Sequence, residues 1–412
     1  MSSPLEPGTD IELATMIGDA LADHESLEIF GGGSKRSLGQ PLEVDREISL
    51  AGLSGITLYE PEELVLSARA GTPLTEIQEC LAEKGQELAF EPPDWRALLG
   101  TTGEQTIGGI VATNLAGPRR IRAGAPRDHL LGVSLVTGRA ETVKTGGRVV
   151  KNVTGYDLCK LVAGSYGTLG IATDLTVKVL PAGEKTRTVL VSGLDAKDAV
   201  KALNLALSSP HDVSAAAYVP GVLTGCSSVS YVSGAGAALA AVRIEGPGPS
   251  VEARCLALRD ILSGYGAIEE LHFHNSSRFW KEIADVSPFF DTHDVVWRVS
   301  VPPSIAASTV QRIQEEIDAD FYFDWGGGLI WIGLKSQPAD GGASVVRGAF
   351  EIGDGHATLV RAHSELRSTL PVFQPQTKPV KALSQRIKRA FDPGSILNPG
   401  RMSLSLEAAN AN

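Results

Sequence analysis

The sequence predicts an α+β chain of two unlike parts: an N-terminal part punctuated by glycine turns, and a middle part of two β-α-β-β-α-β units forming one antiparallel sheet. Two observations predict it. Glycine clusters stand against short apolar strands at Phe30-Gly31-Gly32-Gly33-Ser34-Lys35 and at Gly164-Ser165-Tyr166-Gly167-Thr168-Leu169-Gly170. From 184 to 361, strand and helix periodicities run through the same order twice. The chain divides at 1–183, 184–370 and 371–412. Its 412 residues, 43% hydrophobic, leave room for two or three cores.

The 45 glycines follow no collagen-like period, so they belong to turns. The formal net charge is -11 and no long Lys/Arg block occurs, which argues against nucleic acid or an anionic membrane surface as the main partner. Cys80, Cys159, Cys226 and Cys255 are scattered without CxxC or metal spacing, as expected of reduced thiols in a cytoplasmic protein. The start, MSSPLEPGTDIEL, is acidic and lacks the apolar centre of a signal peptide. No run of about 18 apolar residues occurs, so a chain that meets a membrane only through a partner is expected.

Asp10 to His24 reads as a helix with Leu13, Ile17, Ala20 and Leu21 on one face. Leu27 to Phe30 is a short strand that runs into Gly31-Gly32-Gly33. Consecutive glycines after a strand let several backbone N–H groups point into one concavity; Ser34 adds a hydroxyl and Lys35 a charge. A dinucleotide pyrophosphate fits that nest, and a plain flexible loop fits the same residues. The run is neither a nicotinamide fingerprint nor a Walker loop, because both spacings are missing.

Ile56–Tyr59 and Leu64–Arg69 read as strands joined at Pro61. Gly71-Thr72-Pro73 predicts a helix start, with Thr72 as cap, running to Lys84 before Gly85. Glu91-Pro92-Pro93 ends the next strand. Thr106 to Asn114, TIGGIVATN, reads as a helix whose two internal glycines cost about 1 kcal/mol each against alanine. A small face against something flat and broad is therefore expected. Gly117 to Asp128 is the most basic run, with Arg119, Arg120, Arg122 and Arg127. It reads equally as a solvated loop and as a cationic rim for an anionic substrate or a reduced cofactor. Leu130–Thr137 and Ala140–Thr145 form a hairpin about Gly138. A polar turn at Lys151-Asn152, a short helix over Tyr156–Val162 and the second glycine turn lead to strand Ile171–Val179. Leu175, Val177 and Val179 share one face of that strand. By spacing alone the second turn is a tight loop at a sheet edge; together with the first it reads as one cofactor site.

FGGGSK, ARAGTPL, TIGGIVATNLAGPRR, RD, KNVTGYDL and GSYGTLGI, in this order, resemble the PCMH-type FAD-binding domain of the vanillyl-alcohol oxidase superfamily, and within it the FAD-binding subunits of glycolate oxidases. The resemblance covers about the first 180 residues and the C-terminal tail. It implies a two-part FAD-binding domain and a cap domain. In covalently flavinylated members a histidine often closes the glycine-rich loop; here Lys35 stands there, so the FAD is expected to be non-covalent. The resemblance implies that Gly31, Gly32, Gly33, Ser34 and Lys35 hold the pyrophosphate. Thr106, Ile107, Gly108 and Gly109, with Ala112, Thr113 and Asn114, would line the flavin. Gly164, Gly167, Thr168, Gly170 and Ile171 would pass the adenine and ribose side. It further implies oxidation of glycolate to glyoxylate in a complex with a second flavin subunit and an iron–sulfur subunit. This chain has no iron–sulfur cysteine spacing, so that centre would belong to a partner.

The middle part reads as strand Thr186–Val191, helix Ala196–Leu207, strands Ser214–Val219 and Leu239–Ile244, helix Val251–Leu262 and strand Ala267–Leu271. After a helix at Ser277–Val286 come strand Val295–Val301, helix Ile305–Ile317, strands Asp320–Asp324 and Leu329–Leu334, helix Ala343–Ile352 and strand His356–Arg361. Each half is a ferredoxin-like unit, and two side by side give one antiparallel sheet with helices on one face. The superfamily's cap would look like this. The tail holds a basic helix ending at Ala390, then turns at Asp392-Pro393-Gly394 and Asn398-Pro399-Gly400. By the resemblance it folds back to the FAD domain, bringing Asn398 or Arg401 to the flavin edge; as plain residues they form a surface turn.

Flavin oxidation of a 2-hydroxy acid needs a base for the hydroxyl proton, a cation for the carboxylate and the flavin as hydride acceptor. Related single-chain dehydrogenases, and the partner glycolate oxidase subunit, carry a metal-binding H-x-G-D-G-N-x-H run in the cap. This chain has Glu351-Ile352-Gly353-Asp354-Gly355-His356-Ala357-Thr358, with Glu351 and Thr358 in the flanking histidine positions, so no metal is expected. His272-x-His274 suits a metal on a strand face or an ordinary surface pair. His356, Arg361 and His363, on or near one strand, are the remaining base and cation candidates. Three readings stay open. The chain is an oxidoreductase of glycolate, D-lactate or another 2-hydroxy acid; it is a non-catalytic flavin-holding or electron-relay subunit; or it is a flavin oxidase of an unrelated alcohol. The missing metal histidines favour the second.

Overall fold

In the N-terminal part, helix Asp10–Asp23 buries Leu13, Ile17 and Ala20, and Thr9 caps it by accepting from the Glu12 N–H. The computed structural model describes residues 3–148 and 156–403, so the turn expected at Lys151 and Asn152 lies outside the described residues. Strand β1 (Leu27–Phe30) pairs in parallel with β2 (Arg46–Ser49). Strands β3 (Ile56–Glu60) and β4 (Val65–Arg69) flank a 3-10 turn at Pro61–Glu63. After β5 (Gln86–Glu87) come β6 (Leu130–Val136), β7 (Thr142–Gly146), β8 (Ile171–Lys178) and β9 (Leu180–Pro181). A five-stranded antiparallel sheet runs in the order β3-β4-β8-β6-β7. Its core gathers Leu13, Ile17, Leu66, Ile77, Leu135 and Val177.

Helix Leu74–Ala82 has Pro73, not Thr72, in the cap position. Thr72 lies one residue too early to meet the first helical amides. Its hydroxyl instead accepts from the Gly55 N–H and donates to the Arg69 carbonyl, closing the loop against β4.

The middle part forms a single antiparallel sheet from β10 (Lys185–Ser192), β11 (Ala215–Val219), β12 (Leu239–Gly246), β13 (Ala267–His272), β14 (Val295–Ser300), β15 (Ala319–Asp324), β16 (Leu329–Leu334) and β17 (His356–Arg361). Its eight strands run in the order β13-β10-β12-β11-β15-β16-β14-β17. That is two ferredoxin-like units joined along β11 and β15, where Tyr218 stands opposite Phe323. Helices Ala196–Leu207, Gly248–Leu262, Pro303–Glu316 and Ala343–Gly348 cover one face over Val191, Trp297, Phe323 and Ile330.

The expectation of helices on one face alone is corrected. Helix Phe273–Asp285 lies against the other face, where Phe279 and Trp280 pack with Leu190, Ala217 and Trp331. Trp95, Leu98 and Leu115 of the N-terminal part join the same cluster. The strands explain why: β11 and β16 are buried at every residue, the pattern of a sheet covered on both sides.

Helix Lys378–Phe391 ends the fold, and the chain then returns along β1. Leu27 N–H donates to Ile396 O at 2.8 Å and Asn398 N–H to Leu27 O at 2.9 Å. Among the described residues no helix is long and apolar enough to cross a membrane.

Candidate functional site

A groove runs between the two glycine turns, with helix Ile107–Thr113 on its floor. Two contiguous compartments, about 540 and 510 Å³ with their open mouths, share Gly31, Thr106, Gly109, Ala112, Tyr166 and Asn398. Gly32, Gly33, Ser34, Lys35 and Thr113 line one compartment; Gly108, Ser165, Gly167, Gly170 and Ile171 line the other.

Backbone crosses backbone at Gly32 and Gly103, and the Thr106 side chain presses on Gly31, which is why the residues are glycines. A Cβ at Gly31 would stand 2.2 Å from Thr106 Oγ1, one at Gly32 2.4 Å from Glu104 O, and one at Gly103 1.8 Å from Gly32 O. Within the helix, a Cβ on Gly108 would lie 2.7 Å from Ala70 O, whereas Gly109 faces the groove. The two glycines thus serve two purposes: close packing on β4 and a flat floor.

Four of the residues singled out in the sequence do not line the groove. Ile107 is in the core. Asn114 ends the helix at φ 51 and accepts from the Arg127 N–H. Gly164 turns at φ 82 and donates to Val111 O, and the Thr168 hydroxyl donates to Ser165 O. They shape the turns that form its walls.

Asn398 ties the groove together. Its side chain accepts from the Ile29 N–H at 2.8 Å and donates to Tyr166 O at 2.8 Å, joining β1 to the second glycine turn. Arg401 donates to the carbonyls of Arg36, Leu38 and Gln40 and pairs with Glu28 at 2.6 Å. Its guanidinium is held in place as a pin for the tail.

Two polar groups on the groove wall ask for a ligand. The Lys35 side chain is half-buried; its amine has Ser34 Oγ at 3.2 Å and Gln105 Oε1 at 3.4 Å as partners. Burial pushes its pKa down to about 8, against the pull of Asp94. The Ser165 hydroxyl is buried with no hydrogen-bond partner among the described residues. A cation at one end, an unpaired hydroxyl at the other and a side-chain-free cradle between them fit an extended anionic dinucleotide such as FAD.

Beside the groove, the N-terminal part meets the sheet along a charged seam. Arg119 pairs with Glu87 at 2.5 Å and Glu245 at 2.7 Å, and Arg243 clamps Glu91 with two bonds of 2.7 Å. Burial works against the Glu245 carboxylate, but Arg243 and Arg119 outweigh it and hold its pKa at about 2. Arg122 pairs with Asp212 on the surface. The basic run is therefore neither wholly solvated nor wholly a rim.

Arg120 differs from Arg119. It lies over the indole of Trp325, 5.0 Å from the ring centroid, and Arg298 of β14 lies 5.1 Å from the same ring. Trp325 is fixed by a bond from its Nε1 to Gly117 O at 3.2 Å. Arg298 stands opposite Thr358 across the β14–β17 ladder, so His356, two residues along β17, projects from the same face of the sheet; it is exposed, and its pKa is lowered by desolvation first and then by Arg298 and Arg120.

Arg361 and His363 are elsewhere. Arg361 stands opposite Val296 and His356 opposite Ser300 across the β14–β17 ladder, and five residues along a strand span about 16 Å. Arg361 donates to the carbonyls of Phe289 and Phe290, and His363 is exposed at the start of helix Ser364–Thr369. His272 is exposed on β13 while His274 sits in the helix that follows, and among the described residues no group of three metal-ligating side chains gathers. Sequence reasoning missed Arg298, Trp325 and Tyr166. A lone arginine in the apolar strand VVWRVS and a bulky residue before Gly326-Gly327-Gly328 were the available signals.

Residues 4–146 match the FAD binding domain family. The chain is 33% identical over 395 residues to glycolate oxidase subunit GlcE of Escherichia coli, covering 96% of this chain and 97% of that protein. It is 34% identical to a D-lactate dehydrogenase of Anaerostipes hadrus over 37% of this chain and 30% of that protein. Among solved structures, 4-ethylphenol oxidase from Gulosibacter chungangensis covers 98% of this chain and 89% of its own, with a TM-score of 0.73 at 16% identity. p-Cresol methylhydroxylase covers 98% and 88%, with a TM-score of 0.70 at 14% identity. These last two share the fold. The match along nearly the whole of both chains makes this protein a member of the glycolate oxidase GlcE family of FAD-binding proteins.

Proposed function

We propose that the chain is the FAD-binding subunit of a cytoplasmic glycolate oxidase, in which glycolate becomes glyoxylate and the electrons leave through a second flavin subunit and an iron–sulfur subunit. The observation that carries the cofactor reading is the half-buried Lys35 amine at the glycine nest, which has only Ser34 Oγ and Gln105 Oε1 as partners and no carboxylate paired with it among the described residues. In this reading 1–183 is the FAD-binding domain, 184–370 the cap, and 371–412 a segment that returns to the first. The backbone of Gly31, Gly32 and Gly33 with Ser34 and Lys35 holds the pyrophosphate. Gly109 and Ala112 give the flavin a flat floor, and Ser165 supplies a hydroxyl at the opposite wall. FAD, when bound, supplies a two-electron acceptor. His356, exposed at the start of β17 on the sheet face that carries Arg298, is the group to take the substrate's hydroxyl proton.

An electron-relay subunit is the second reading, favoured by Glu351 and Thr358 standing where metal-binding relatives have histidines. Purified FAD-containing chain, glycolate or D-lactate and an artificial dye separate the two. Turnover without partners, lost in His356→Ala, supports the first. A flavin-loaded chain that turns over only with partners, and ignores His356→Ala, supports the second.

A further inference from the structure

We propose that Arg120 and Arg298 form a binding site for the carboxylate of a small 2-hydroxy monocarboxylate, making this subunit a receiver of substrate as well as a holder of flavin. The inference rests on the function proposed above and goes beyond it by assigning the site.

The other arginines withdrawn from solvent show what is unusual here. Arg119, Arg243 and Arg401 pair with carboxylates. Arg347 and Arg367 donate to backbone carbonyls. Arg120 and Arg298 do neither among the described residues, although both are only partly accessible and crowded by protein. Two cations brought to one indole repel each other, and burial followed by Arg120 pulls Arg298 down to about 10. Such an arrangement is costly unless an anion enters it. Two planar guanidiniums suit a carboxylate, which accepts two bonds from such a fork.

The surroundings hold the pair rigidly. Trp325 takes φ 55 and Tyr166 φ 54, a left-handed backbone that bulky residues keep only where the structure imposes it. Neither arginine lines the groove itself, but Tyr166, which does, packs against the apolar cluster that holds Trp325. Burial raises the Tyr166 phenol to about 12, leaving it a hydrogen-bond donor at neutral pH. The nearest acids do not fill the role. Asp324 accepts from the Trp325 N–H and is raised by burial to about 7, and Asp128 accepts from the Ala125 N–H. His356, two residues along β17 from the Thr358 that faces Arg298, lies on the same face of the sheet as that arginine.

The test is calorimetry on the FAD-loaded full chain with oxamate, an unreactive monocarboxylate of the same size class, and with oxamide, its neutral counterpart. Oxamate binding at least about tenfold tighter than oxamide is expected. Arg298→Met and Arg120→Met should each weaken oxamate by about tenfold or more with flavin per chain unchanged, and Arg298→Lys should recover part of the loss. Equal binding of the two probes, no binding of oxamate, or methionine variants that bind like the parent chain would overturn the proposal. Arginine-dependent oxamate binding by a chain that never takes up FAD would contradict the cofactor reading instead. A flavin-loaded chain indifferent to both arginines would contradict this inference alone.

Discussion

The groove and the seam beside it are built by opposite means. The groove is made of backbone: Gly32 and Gly103 cross neighbouring chain, and Gly31 meets Thr106, so closely that any Cβ would collide. The seam is made of side chains from distant segments, with Glu87, Glu91 and Arg119 meeting Arg243 and Glu245. Within the seam the contrast repeats at one peptide bond, since Arg119 is saturated with carboxylates while its neighbour Arg120 has none among the described residues. A site made of backbone tolerates no side chain; a site made of charges tolerates no missing partner. Each can be broken separately.

The largest effect is expected at the groove. Gly32→Val places atoms within 2.4 Å of Glu104 O and should abolish FAD retention, read as the flavin absorbance per chain. Flavin content equal to the parent's would show that the nest lies elsewhere. Next is the seam: Arg243→Met takes both of its bonds from Glu91 and leaves Glu91 and Glu245 to Arg119 alone, which should cost about 1.5–3 kcal/mol in urea unfolding. A cost under about 1 kcal/mol would mean that the seam is solvated and weak.

Lys35 links charge to the groove, and its sign can be worked out. Between about 8 and the ordinary 10.5, the unfolded chain holds this proton more tightly than the folded one. The FAD-free chain should therefore gain stability as pH rises through that window, and the cost of charging the amine, about 3 kcal/mol, is fully present below it. A pyrophosphate beside the amine keeps the proton on. FAD affinity should then fall above pH 8 by up to about tenfold per unit, and Lys35→Met should flatten the profile. A parent chain with a flat profile would contradict the placement of Lys35. The smallest effect is expected at Arg122→Gln, where an exposed pair with Asp212 should change stability by less than about 1 kcal/mol.

The same contrast decides what was legible in the sequence. Elements with a local signature are where the pattern puts them: helix Ala196–Leu207, strand Leu329–Leu334 and strand His356–Arg361 have the expected bounds. The glycine turns were legible because a missing Cβ is written in the sequence. Arg298 was not, because its meaning depends on Arg120 lying 178 residues earlier over the same indole. Arg361 illustrates the converse: nearness to His356 along a strand suggested a shared site, yet strand rise carries it to the other end of β17, where Phe289 and Phe290 occupy it. Helices such as Gly221–Thr224 and Ser230–Ser233 are too short to carry a period.

The account stands or falls on FAD in the groove. The direct measurement is an absorbance spectrum of the chain expressed alone, before and after acid precipitation. The account predicts yellow protein that releases free flavin into the supernatant, because Lys35 and not a histidine closes the glycine-rich loop. Colourless protein that refuses added FAD, or flavin that stays with the precipitate, would contradict it.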